Sequence, residues 1–273
     1  MKIDTLILSG GSVKGIALLG AFKYLLDNKK IRIKKLKHII SASAGALMSL
    51  PLLLNVNINV YYKIITGLKV NLFKKDDLHI KNLINEYGFF DNSVVEEYVR
   101  TFIKYFVKKD NITLIELFKL TKIKFTVKVS NITKNNVEYI NYLNNPNMDL
   151  VTLIKITTSV PIIFKPVKYN NFLYCDGATG GGLPIEYNTS PNYLGIILYP
   201  YDNLNLKIVN ILDYFSNLIH VFKDEDHYNH YKKYKNIICI DLKISVKLDI
   251  TEKESINFFK IGYIETEKFL KKK

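Results

Sequence analysis

The chain has 273 residues, 48% of them apolar, enough to bury a substantial core and the size of one α/β domain, with two small domains as the alternative. With 39 Lys and Arg against 25 Asp and Glu, the formal charge is +14, which favours an anionic partner. Cys175 and Cys239 lie in apolar strand-like runs, which speaks against a disulfide framework and for a reducing compartment.

The opening MKIDTLILSGG offers too short an apolar stretch for a signal peptide and lacks a small-residue cleavage site, so a cytoplasmic location is expected. Residues 2–9 alternate and then run apolar, which predicts a strand, and the spacing after the glycines predicts a helix over 16–26. Lys29, Lys30, Arg32, Lys34, Lys35 and Lys37 follow within nine positions. Attraction to an anionic surface and a solvated lysine-rich face both account for them. Residues 38–42 predict a short buried strand and 44–54 a helix. The alternation of strand, turn and helix argues for a parallel sheet with helical crossovers. Residues 39–62 carry no charge, a length that would span a bilayer, but Ser41, Ser43, Gly45, Ser49, Pro51 and three Asn point to a strand, a sharp turn and a buried helix.

Farther on, Val94, Val95, Tyr98, Phe102 and Phe106 share one face of a helix that Asn92 or Asp91 is placed to cap. Thr113 with Glu116 forms a capping box, and a strand follows over 124–130. Asp149 is placed to cap a helix that runs to Thr158 and is stopped by Pro161. Strands are predicted over 172–175, 193–199 and 236–241, a helical stretch over 208–222, and an amphipathic helix from Thr251 towards the closing Lys271, Lys272 and Lys273. The sequence shows no internal repeat, heptad run or low-complexity linker.

The glycine turn in LSGGSVKGIALLG, residues 8–20, fits neither common nucleotide motif. Gly10 and Gly15 have P-loop spacing, but Ile16 and Ala17 stand where Lys and Ser or Thr are needed. The second glycine of a dinucleotide fingerprint falls on Ser12, and no acidic residue closes the next strand. That strand ends in ISASAGAL, residues 40–47. Ser43 stands among small residues at a strand-to-helix junction, the form of a nucleophile elbow, with Ser41 and Gly45 at the flanking glycine positions. Turns at the same end of adjacent parallel strands would set the amides of Gly10, Gly11 and Ser12 opposite the Ser43 hydroxyl, an oxyanion hole.

For a base, the histidines are poorly placed. His38 opens the strand that leads to Ser43, so it belongs at the far end. His79 lies in a lysine-rich connection, and His220, His227 and His230 form a polar cluster whose spacing matches no metal site. Asp176 is better placed, at the end of the apolar run in FLYCDGATGGGLP, where Gly177 lets the carboxylate protrude.

On these residues the chain resembles the patatin-like phospholipases, lipid acyl hydrolases with a Ser-Asp dyad. Gly10-Gly11-Ser12-Val13-Lys14-Gly15 resembles the family's oxyanion loop, Gly-Gly-Gly, any residue, Arg or Lys, then Gly. Residues 41–45 resemble its elbow, with Ser43 as nucleophile. Asp176-Gly177-Ala178 resembles its Asp-Gly-Ala/Gly motif, with Asp176 as base, and residues 157–166 resemble its segment of small residues, Pro and Phe. The likeness spans about residues 6–184, with Ser12 and Ser41 in place of two family glycines. The resemblance implies a three-layer α/β/α fold with a mainly parallel sheet in one domain over 1–273. The motifs fall within about 6–187, and the remainder completes sheet and helices.

It further implies a phospholipase A-like cleavage of carboxylic esters, without cofactor or metal, on phospholipid or another acyl-ester lipid. Lys14 is a candidate contact for a phospholipid phosphate or an organiser of the loop. Peripheral contact with an anionic membrane is expected and nucleic acid is not. The alternative is a weak or inactive relative that serves as a basic lipid-surface module, or less plausibly a nucleic-acid one.

Overall fold

The computed structural model describes residues 2–67, 80–180, 182–199, 214, 231, 234–242 and 250–272. The predicted opening is present. β1 (Thr5–Leu8) leads through a 3₁₀ turn at Ser12–Gly15 into α1 (Ile16–Asp27), and β2 (His38–Ala42) leads at once into α2 (Ala44–Met48). The uncharged stretch is thus a strand followed by short helices, and no described helix is long and apolar enough to cross a membrane.

The helix predicted over 44–54 is broken into α2 and α3 (Leu50–Leu53), with α4 (Ile58–Gly67) beyond. Pro51 explains the break: it has no N–H to give the Leu47 carbonyl. The Tyr61 hydroxyl of α4 donates to that carbonyl instead, at 2.7 Å. Short elements follow as α5 (Ile80–Glu86) and β3 (Gly88–Phe90), then the long α6 (Ser93–Val107). Its buried face is Tyr98, Val99, Phe102 and Ile103, while Val94 is exposed, so the apolar stripe is turned slightly from the predicted one. Asn92 takes the N-cap position of α6 without a side-chain cap bond.

α7 (Leu114–Thr121) begins with the predicted capping box of Thr113 and Glu116 and leads into β4 (Lys124–Asn131) and β5 (Asn136–Ile140). α8 (Leu150–Thr158) has Asp149 at its N-cap, also without a side-chain bond, and ends before Pro161. Next come β6 (Ile162–Phe164), β7 (Val167–Tyr169) and β8 (Phe172–Asp176). Sequence reasoning missed β7, although its turn has a signal. Asn170 and Asn171 sit at φ 47° and 66°, the left-handed pair that a two-residue hairpin demands and that Asn tolerates.

β9 (Tyr193–Tyr199) and β10 (Ile237–Asp241) are followed by α9 (Glu252–Lys271), which opens on a second capping box, Thr251 with Glu254. Of the helix predicted over 208–222 only Tyr214 is among the described residues, and His79, His220, His227 and His230 lie outside them. The main sheet has the order β10-β9-β1-β2-β4-β8-β7, with β5 also on β4, and β3 pairs with β6 in a separate small sheet. From β10 to β4 all neighbours are parallel, while β5, β8 and β7 are antiparallel to the strands they join.

Both faces are covered. Leu6, Leu8, Ile39 and Val127 share one core with Leu18, Phe22 and Leu25 of α1 and with Phe258 of α9. Ile7, Ile40 and Ile197 pack on the other face with Leu183 and Tyr231. Continuous apolar strands are what a sheet buried on both faces requires. The fold is the expected mixed α/β architecture with a mostly parallel central sheet. Cys175 and Cys239 form no disulfide. Burial, and then the neighbouring negative charge of Asp176, pushes the Cys175 thiol up to about 12, so it stays neutral.

Candidate active site

β1 and β2 are parallel neighbours in the register Leu8↔Ser41, so the turns that follow them emerge at one rim. Ser43 occupies the second turn at φ 51°, ψ −128°. A non-glycine residue there stores on the order of 1–3 kcal/mol, the strain of a strand that turns sharply into a helix. The turn is possible because Gly45 lies against β1. A Cβ on Gly45 would sit 2.5 Å from the Ser9 carbonyl oxygen and 2.9 Å from that of Leu8.

Asp176 arrives from the other side. β8 runs antiparallel to β4, with Asp176 opposite Val129, so the hairpin feeds the carboxylate back towards the elbow rather than out along a parallel strand. The Ser43 hydroxyl donates to Asp176 Oδ2 at 2.5 Å, with both residues buried. The other carboxylate oxygen accepts the Ala178 N–H at 2.7 Å, which fixes the plane of the group. Gly177 is required between them, since a Cβ there would lie 2.2 Å from the Lys128 carbonyl oxygen.

The glycine turn lies over this pair. A Cβ on Gly10 would be 3.0 Å from Ser43 Cβ and 2.7 Å from Ala178 Cβ. Ser9 anchors the turn: its hydroxyl accepts the Leu198 N–H at 2.9 Å and donates to the Gly10 carbonyl at 2.8 Å. The three amides differ. The Gly10 N–H donates to the Gly182 carbonyl at 3.2 Å, whereas nothing among the described residues accepts the Gly11 N–H. Ser12, where the family has glycine, adopts φ 51° with its Cβ in place.

Lys14 is buried, at 3% exposure. The six basic residues from Lys29 to Lys37 are all exposed, but they precede β2 and therefore lie at the rim opposite Ser43. His38 belongs to that far rim too, roughly 16 Å away along a five-residue strand. It bonds Thr126 Oγ1 at 2.8 Å, and burial, then the Lys124 charge, lowers its pKa from 6.5 to about 4. The folded state therefore binds this proton less readily than the unfolded chain, and His38's contribution, full above pH 6.5, is lost as pH falls towards 4. His38→Gln is expected to flatten that part of the stability profile, measured as the difference in urea midpoint between pH 7 and pH 5.

Ser41 is fully buried, and its hydroxyl has no hydrogen-bond partner among the described residues. An orphan hydroxyl costs about 1–3 kcal/mol, so Ser41→Ala is expected to stabilise the fold by about 1 kcal/mol in urea unfolding. A loss of stability would show that the hydroxyl is bonded after all.

Sequence reasoning missed Thr157, whose hydroxyl accepts the Ser43 N–H at 2.9 Å. The segment TTSVP, residues 157–161, was its only signal.

Fold and site together define a class: α/β chains that hold a serine on a strained strand-to-helix turn against a single carboxylate. The chain belongs to the patatin-like phospholipase family, whose model matches residues 6–188. Over 185 residues it is 32% identical to the probable lipid hydrolase 463L of Invertebrate iridescent virus 6, covering 67% of this chain and 62% of the relative. The uncharacterized protein R571 of Acanthamoeba polyphaga mimivirus is 25% identical over 185 residues, 67% of this chain and 61% of its own length. The chain thus matches under two thirds of either relative. In fold it is similar to VipD from Legionella pneumophila, with a TM-score of 0.67 at 17% identity, covering 100% of this chain and 67% of that one.

Proposed function

We propose that the protein is a lipid acyl hydrolase of the phospholipase A type that works through Ser43 and Asp176. The observation that carries the reading is the 2.5 Å hydrogen bond from the buried Ser43 hydroxyl to the Asp176 carboxylate. Asp176 takes the hydroxyl proton as Ser43 Oγ attacks the ester carbonyl. It returns that proton to the departing alcohol as the tetrahedral intermediate collapses to the acyl-enzyme. Water, activated by the same carboxylate, then releases the fatty acid and restores Ser43.

The oxyanion falls to main-chain donors of the glycine turn, Gly11 and Ser12. The Gly10 N–H joins them when the substrate oxygen replaces the Gly182 carbonyl as its acceptor. Burial of Lys14 supports a role in ordering this turn over direct contact with a headgroup. Lys14→Met is therefore expected to lower turnover of a phospholipid and of a neutral ester alike, by about tenfold, through displaced donors. A loss confined to the phospholipid would assign the ammonium to the phosphate.

Phospholipid is the proposed substrate because the chain shares its family with lipid hydrolases and carries a strong basic charge. The exposed basic rim faces away from Ser43, so it would attract an anionic membrane without presenting the site to it. The direct test offers the purified protein a fluorogenic acyl ester and vesicles of a phospholipid with different chains at its two positions, with products read by mass spectrometry. Release of fatty acid from one position is expected. Vesicle binding with no hydrolysis of either substrate would replace the enzyme with a binding module.

A further inference from the structure

Both members of the serine–carboxylate pair hang from one turn of backbone. Thr157, the penultimate residue of α8, is fully buried and its hydroxyl bonds in both directions: it accepts the Ser43 N–H at 2.9 Å and donates to the Lys128 carbonyl at 3.0 Å. A hydroxyl has one proton, and Lys128 takes it, so the lone pair facing Ser43 is determined. Two residues on, the carbonyl of the fully buried Ser159 accepts the Asp176 N–H at 2.9 Å.

That turn is itself held. Asn92, at 1% exposure, leaves the start of α6 uncapped and directs its amide to α8, donating to Thr158 Oγ1 at 2.9 Å and, at 3.3 Å each, to the Lys155 carbonyl and Ser159 Oγ. The Lys155 ammonium adds a bond to Glu96 of α6 at 2.9 Å. Ser43 sits at φ 51°, ψ −128°, a conformation that a serine keeps only when its surroundings hold it. The Thr157 hydroxyl is the side-chain acceptor for its N–H.

We propose that Thr157 is a positioning residue: its hydroxyl holds the strained main chain of Ser43 and, with the Ser159 carbonyl, sets the separation of the nucleophile from its base. The proposal rests on the acyl-hydrolase reading above. Thr157 is fully buried and its hydroxyl bonds the main chain of Ser43, so its loss falls on kcat.

The test is steady-state hydrolysis of a fluorogenic acyl ester, with the rate of fluorophosphonate labelling of Ser43 as a second readout. Thr157→Val keeps the shape and removes the hydroxyl. It is expected to lower kcat by about 10²-fold, the cost of a misplaced reacting group, with KM within about twofold of wild type. Thr157→Ser is expected to stay within about threefold of wild type, because it restores both hydrogen bonds. Asn92→Asp, which cannot donate to the turn, is expected to lose about tenfold in kcat alone. Wild-type turnover in the valine variant, or an equal loss in the serine variant, would overturn the role. If the valine variant does not fold, the serine and Asn92→Asp variants decide: a serine variant as poor as Ser43→Ala, or an unaffected Asn92→Asp, is the overturning result. Failure of the hydrolase reading looks different, since wild type itself would then show no activity that Ser43→Ala removes.

Discussion

Ser43→Ala is expected to lower kcat on an acyl ester by about four to six orders of magnitude, the scale on which a lone covalent nucleophile is missed. Asp176→Asn is expected to cost about 10⁴-fold by a different route. The amide is the same size, and its oxygen still accepts the Ala178 N–H that Asp176 Oδ1 now accepts at 2.7 Å. That leaves the NH₂ group facing Ser43, a donor where the hydroxyl needs an acceptor, and an amide has no affinity for the proton. Both variants should fold. Asp176 is 2% exposed, and removing a buried charge relieves its desolvation, so the asparagine variant is expected to melt no lower than wild type. Turnover within tenfold of wild type in Asp176→Asn would remove the carboxylate from the chemistry. Loss of activity accompanied by a lower melting temperature in both variants would turn the pair into a structural hydrogen bond.

The parts of this site that sequence reasoning reached are those set by local chemistry. A positive-φ turn, a helix crossing close over a strand and a capping box each need particular residues within a few positions, as at Ser43, Gly45 and Thr113. The glycine turn and the Asp-Gly pair were legible for the same reason. What escaped depends on partners distant along the chain. Thr157 bonds a residue 114 positions away, and nothing in its own neighbourhood distinguishes it from an ordinary helix-end threonine. The direction of β8 was equally hidden, because an apolar run has the same composition read parallel or antiparallel. The α2–α3 break had a local cause in Pro51, but its compensation by Tyr61 is tertiary. Burial of Lys14 contradicts the base rate for lysine and had no local cue. The basic cluster was visible, while its position at the rim opposite Ser43 followed only from the strand direction.

Gly262→Ala is expected to be among the most destabilising single-methyl changes in the described chain, because two helices touch there backbone to backbone. A Cβ at Gly262 of α9 would sit 1.9 Å from the Ala17 carbonyl oxygen and 2.7 Å from its carbon. The contact is reciprocal: a Cβ at Gly20 of α1 would meet the Phe259 carbonyl oxygen at 1.9 Å. No side chain can rotate out of the way, since the clashing atoms are main chain on both sides. The helices must part, loosening the Tyr24–Tyr263 ring contact at 5.1 Å and the fully buried seat of Phe258. Overpacking of this kind reaches about 4 kcal/mol or more, which in a chain of this size lowers the melting temperature by about 10 °C. Gly20→Ala should act alike, and the double variant should lose less than the sum, because one separation relieves both clashes. Gly67→Ala is the control: its added methyl meets nothing within 4 Å among the described residues, and the expected change is under about 1 kcal/mol. Because α1 begins where the glycine turn ends, the Gly262 variant is also expected to lose hydrolytic activity at temperatures well below its own melting point. Full activity up to the transition would show that the docking of α9 stabilises the fold without tuning the loop.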